Sequence, residues 1–192
     1  MPAYCKGGAL FIGLSNTIAL QQVQLLLQLL EGTENPQVPS FSESEKISWS
    51  FLSENKWIPF RSDYFIGDTT DNLLKTGIVS VIIPPEATTT NTLLPEGMVW
   101  LKVENPKRFD AVCKCLSIQA QVIAATFEDE NNDLSHLETG LAATTIAKLQ
   151  QRNPLVKKVT QPYASFGGSP EETDPAFYQR VSERLRHKDR AI

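Results

Sequence analysis

Histidine and cysteine are scarce in this chain of 192 residues, with two of the first and three of the second. Cys5, Cys113 and Cys115 are odd in number and give no even framework, which excludes a disulfide-stapled secreted domain and points to the reducing cytoplasm. Cys113-Lys114-Cys115 could form half of a zinc site, but no second Cys/His pair stands at zinc spacing and His136 and His187 are isolated, so no metal is expected. Long apolar runs are missing too. The stretch Val23 to Leu30 is broken by Gln24 and Gln28 and falls far short of the roughly 20 residues a bilayer span needs. No secretory apolar segment follows Met1, so neither membrane insertion nor export is expected. Catalytic signatures are also lacking. There is no G-x-S-x-G elbow, and neither Gly7-Gly8 nor Gly167-Gly168 leads into a phosphate-binding Lys-Ser/Thr or a third spaced glycine. With no nucleophile, base and orienting group to assemble, neither an enzyme nor a cofactor is expected. A net charge of -4 excludes a surface built as a whole for nucleic acid. The acidic run Glu128 to Asp133 lacks the alternating ligands, central glycine and closing glutamate of a calcium loop, and reads as a solvated bend.

What is present is an ordinary folding composition, 41% hydrophobic and 21% charged, long enough for one domain or two small ones. The first hundred residues read mainly as strands. Gly8 to Leu14 is a short apolar run, and Ile78 to Ile83 is β-branched and bounded by Gly77 and Pro84. Lys46 to Leu52 alternates and turns at Ser53-Glu54-Asn55-Lys56 into Trp57 to Phe60, as a hairpin does. Val23 to Leu30 fits helix or strand by composition, while its length and the stop at Glu31-Gly32 favour strand. Asp68 to Gly77 fits a single helical turn, and Met98 to Val103 another strand. The fold class is therefore mainly β, a β-sandwich or open barrel with a smaller α+β C-terminal part. A linker and a C-terminal amphipathic helix follow the sandwich. The expected divisions are a sandwich-like domain over 1–105, a mixed connecting segment over 106–160 and a further module over 161–192. Within the second, Phe109 to Thr126 fits a helix or a helix running into a strand. Thr144 to Gln151 reads as a short helix and Leu155 to Thr160 as strand-like.

The C-terminal end is the most distinctive. Asp174 is a good N-cap, Pro175 suits the first helical position, and Glu171, Glu172 and Asp174 place negative charge at a helix start. Phe177, Val181 and Leu185 recur every four residues with Tyr178 beside them, forming one apolar stripe. From Arg180 onward the positive residues Arg180, Arg184, Arg186, Lys188 and Arg190 outnumber Glu183 and Asp189. The aromatics belong to the stripe rather than alternating with arginine for base stacking, which favours a protein partner over nucleic acid.

Gln161-Pro162-Tyr163-Ala164-Ser165-Phe166-Gly167-Gly168, Glu171-Glu172, Phe177-Tyr178 and the run Arg180 to Ile192 resemble the baseplate J family. Its members are wedge proteins of contractile phage tails and of phage-tail-like injection systems. Trp49-Ser50-Phe51-Leu52, Asn55-Lys56-Trp57, Asp68-Thr69-Thr70 and Leu94-Pro95-Glu96-Gly97 before Trp100 are similar to the injection-system branch. The resemblance implies a structural wedge subunit linking hub to sheath-bearing periphery, in the baseplate of a particle assembled in the cytoplasm. Its implied partners are other wedge subunits, hub and sheath-proximal proteins, with a possible homodimer in the wedge. Family members are longer, so the resemblance also implies a fragment of a longer protein. The candidate interface or structural residues are Phe166, Gly167, Gly168, Asp174, Phe177, Tyr178, Arg180, Val181, Arg184, Leu185, Arg186 and Arg190. The competing expectation is a carbohydrate- or surface-binding sandwich in which Trp49, Trp57 and Trp100 form an exposed platform.

Overall fold

Alternation of side chains along extended backbone decides most of this fold, because each strand must turn one face inward. The computed structural model describes residues 7–38, 41, 45–105, 108–169 and 172–186, the side chain of Leu185 excepted. The chain divides into two compact units, Met1–Ala125 and Thr126–Ile192.

Among its described residues the first unit holds eight strands: β1 Gly8–Leu14, β2 Gln22–Leu30, β3 Ser48–Ser53, β4 Lys56–Pro59, β5 Phe65–Asp68, β6 Gly77–Ile82, β7 Val99–Asn105 and β8 Lys114–Ala120. They form two four-stranded antiparallel sheets, ordered β1-β7-β3-β4 and β5-β6-β2-β8. The mainly β class expected from the sequence is what the structure shows.

In the first sheet Ile12 faces Leu101 and Leu101 faces Phe51, while Leu10 faces Val103 and Val103 faces Trp49. In the second, Val23 faces Val81 and Leu25 faces Val79. These rows supply a single core of Ile12, Val23, Leu25, Leu27, Trp49, Phe51, Val79, Val81, Ile83, Leu101 and Val103. Burying each such side chain contributes roughly 1.5–3 kcal/mol. As the alternation of β6 requires, Val79, Val81 and Ile83 are buried while Ile78 and Ile82 are half-buried.

Several local expectations change. The segment Asp68 to Gly77 turns, but in the left-handed sense: Asp71, Asn72 and Leu73 have φ of 54°, 60° and 62°. Thr70 holds it, its carbonyl accepting from the amides of Leu74 and Lys75 and its hydroxyl accepting from Leu73. That hydroxyl donates in turn to Asp68 Oδ1 at 2.6 Å. Gly77 follows because there is no room for a side chain, as a Cβ there would stand 2.6 Å from the carbonyl carbon of Thr69. Within 109–126 the regular element is strand β8, which pairs with β2 and closes one edge of its sheet. The stretch Thr144 to Gln151 is not helical and Leu155 to Thr160 is not a strand.

The second unit contains α1, His136–Thr139, and α2, Asp174–Arg186. It is knitted by polar bonds between two distant stretches. Ser165 donates its amide to the Leu141 carbonyl and accepts the Leu141 amide on its hydroxyl at 2.7 Å. Gln161 accepts from Thr144 through its main chain and from Ile146 through its side chain. Gly140, at φ 73°, is forced by the close approach of the Ser165 carbonyl, which a Cβ would strike. No described residue of this unit is buried.

Candidate assembly surface

That lack of buried residues does not reflect a lack of apolar ones. Phe166 is 82% exposed, Leu155 89% and Tyr178 69%, with Phe177 also exposed. Isolated exposed hydrophobics are ordinary on a protein surface, whereas a compact unit with no buried residue among those described is not.

Helix α2 forms where its sequence signals put it. The Phe177 amide bonds the Thr173 carbonyl at 2.9 Å, so Thr173 occupies the capping position, with Asp174 and Pro175 one place further in than expected. Phe177 and Tyr178 stack edge to face at 5.7 Å on the exposed side, and Val181 is half-buried. The side chain of Leu185 and all of Glu171 and Arg190 lie outside the described residues. Arg180 is forked onto Glu172, with Nε and Nη2 at 2.8 and 2.7 Å from its two carboxylate oxygens. The guanidinium also lies over the Phe177 ring at 5.4 Å. The Arg180 fork holds the Glu172 carboxyl below its ordinary range, and Glu172 in turn raises the guanidinium. Arg184 and Arg186 are exposed and form no ion pair among the described residues.

The glycine pair has divided roles. Gly167 adopts φ 76° with open space around it, while a Cβ on Gly168 would stand 2.9 Å from the Leu137 carbonyl of α1. The first permits the turn and the second permits the packing. Phe166, just before them, has the Tyr163 ring at 6.1 Å as its aromatic neighbour. Thus Phe166, Gly167 and Gly168 sit on the knitted loop, and Phe177, Tyr178, Arg180, Val181, Arg184 and Arg186 on α2.

The three tryptophans do not share a platform. Trp49 is 6% exposed in the core. Trp57 and Trp100 are half-buried on the opposite face of the first sheet, since Trp57 faces the outward residue Leu52 and Trp100 lies between inward Val99 and Leu101. There Trp57 is flanked by Phe11 at 5.4 Å and by the Lys102 ammonium at 5.5 Å, and Trp100 Nε1 donates to the Pro95 carbonyl. Leu52, the register partner of Trp57, is fully buried.

Cys113 is buried and donates to Glu34 Oε2 at 3.0 Å, and this bond holds the Glu34 carboxyl below its usual range. Burial pushes the Cys115 thiol up, away from reactivity. Among the described residues no group of three or more His, Cys, Asp or Glu could hold a metal ion. Among the described residues no helix is long and apolar enough to cross a membrane. The sequence reading did not anticipate that no described residue between 126 and 186 is buried, because no local pattern of residue types reports the lack of an interior.

The fold is thus a two-sheet antiparallel β unit followed by a small unit in which no described residue is buried. The chain matches the PVC11-like baseplate protein family over residues 2–192, and it belongs to that family. It is a baseplate protein, on which the family match and the resemblance read from its sequence agree. None of the curated proteins matches it.

Proposed function

We propose that this chain is a structural wedge subunit in the baseplate of a contractile injection system, akin to baseplate J proteins, and that it acts without catalysis. It helps tie the central hub to the sheath-bearing periphery, inside a particle assembled in the cytoplasm. The observation that supports this reading is the second unit. It keeps its shape through polar knitting and leaves Phe166, Phe177 and Tyr178 exposed, so other subunits supply the surface that buries them. Within the second unit, α2 offers the aromatic residues Phe177 and Tyr178 together with exposed Arg184 and Arg186. Wedge, hub and sheath-proximal subunits are the partners, and a second copy in the wedge is compatible with the same surface.

The test uses the full-length protein in assembling particles. Arg184→Glu/Arg186→Glu and Tyr178→Ala should each lower incorporation by about tenfold or more, while circular dichroism and the fluorescence of buried Trp49 stay unchanged. Normal incorporation of both variants would sink the assignment of α2 as the contact.

A further inference from the structure

A second exposed feature lies away from α2. Asn153-Pro154-Leu155-Val156 forms a tight turn in which the Val156 amide bonds the Asn153 carbonyl at 3.0 Å. The Asn153 side chain closes it from within, its Oδ1 accepting from the Leu155 amide at 3.0 Å. Asparagine first and proline second fix such a turn with few alternatives, so the position of the third residue is set in advance. That third residue is Leu155, 89% exposed. A rigid turn that holds a leucine out in water has the form of a preorganised anchor, because little ordering entropy remains to be lost on docking.

Its electrical surroundings are equally specific. Between Glu138 and Glu171 the chain carries no Asp or Glu, yet it carries Lys148, Arg152, Lys157 and Lys158. All four are exposed and without an ion pair among the described residues. Ile146, Leu149 and Val156, each 43–44% exposed, lie in the same span. The occupant that complements an exposed apolar anchor flanked in the chain by exposed cations is a protein surface with an apolar recess and an acidic rim. Nucleic acid fits less well, because residues 144–160 contain no aromatic side chain to stack on a base. A second copy also fits less well. The chain's own acidic run spends Asp129 and Asp133 on the amides of Asn131 and Ser135, and its neighbours Phe127 and Leu134 are themselves exposed.

We infer that the Asn153–Val156 turn, with Lys157, Lys158 and Arg152 around it, is a docking knob for an acidic, apolar-pocketed surface on a different baseplate subunit. This rests on the proposed baseplate role and adds a contact independent of α2.

The test places a photo-cross-linking benzophenone amino acid at position 155 of the full-length protein in purified particles. The expected product is a cross-link to one segment of a different subunit, rich in Asp and Glu. Its yield should fall about tenfold with Lys157→Glu/Lys158→Glu and survive Lys157→Arg/Lys158→Arg. Unchanged circular dichroism and Trp49 fluorescence guard against misfolding. A cross-link to another copy of this chain, to nucleic acid or to a segment without acidic residues overturns the inference, as does no cross-link in particles that contain the chain. Particles from which even the unmodified chain is missing overturn the baseplate role itself, and the inference with it.

Discussion

Hydrogen exchange should divide this chain sharply at the boundary between its units. Strands β2, β6 and β7 carry Leu25, Val79 and Leu101 at zero exposure, so their amides open only when the sandwich opens as a whole. A domain of this kind is stable by about 5–15 kcal/mol, and at about 1.4 kcal/mol per factor of ten that slows exchange several thousand-fold or more. Helix α2 has 13 residues, no buried side chain among those described, and one exposed fork from Arg180 to Glu172. An isolated helix of about 12–15 residues is marginal in water, so its amides should be slowed by less than about tenfold. The measurement is exchange followed by mass spectrometry on the free protein at neutral pH, with peptides from 77–82 and 174–186 compared directly. Protection of the 174–186 peptide beyond about a hundredfold in the free chain would refute the claim that this unit lacks an interior. In assembled particles the same peptide should become protected, since the proposed interface buries Phe177 and Tyr178.

Gly77→Ala should cost about 1–3 kcal/mol, because its Cβ meets the Thr69 backbone, while Gly67→Ala, with nothing within 4 Å, should change stability by under about 0.5 kcal/mol. Urea unfolding followed by Trp fluorescence measures both, and equal costs would contradict the packing described for Gly77. Asp110 is held below the ordinary carboxylate range by the Asn35 amide and secondarily by Arg108, so its contribution is present above about pH 4 and lost as pH falls through the lowered value. The stability gap between the native chain and Asp110→Asn should therefore shrink on acidification, and a gap constant down to about pH 2 would count against it. Glu172→Gln should reduce helicity at 174–186 in dilute buffer but not at about 1 M salt, where screening acts within ~3 Å; carbon chemical shifts report it, and equal loss at both salt levels would exclude a charge effect.

Much of the sandwich was legible because strand signals are local. Alternation marked β3, a short apolar run marked β1, a β-branched run between Gly77 and Pro84 marked β6, and length with the stop at Glu31-Gly32 favoured strand for β2. The failures share a different cause. β5 is only four residues long with Gly67 inside it, and β8 gains its strand character from pairing with β2, 89 residues away at Ser117 and Gln28. The signals around Asp68 and Gly77 announce a turn without specifying its hand, which Thr70 and the crowding at Thr69 decide. In the second unit the helix stripe was readable, but the mate of Arg180 was not. Glu172 stands eight residues before it, beyond the spacing at which helix neighbours meet. Whether Leu155 or Phe166 is covered depends on the fold around it, which no residue pattern encodes.

The pairing scheme has a consequence for how the chain is made. β1 finds its partner only when β7 exists, and β2 needs β6 and then β8, so Leu14 waits for Val99 and Leu25 for Ala120. At a synthesis rate of roughly 5–20 residues per second, the leucine-rich β2 is on its own for several seconds or more. During that interval it is a sticky ribbon with both edges open, and only the long-range closure of the sheets removes it from competition. Nascent chains stalled near residue 90 should therefore be sought out by chaperones that bind extended apolar segments, and chains released after residue 125 should escape them.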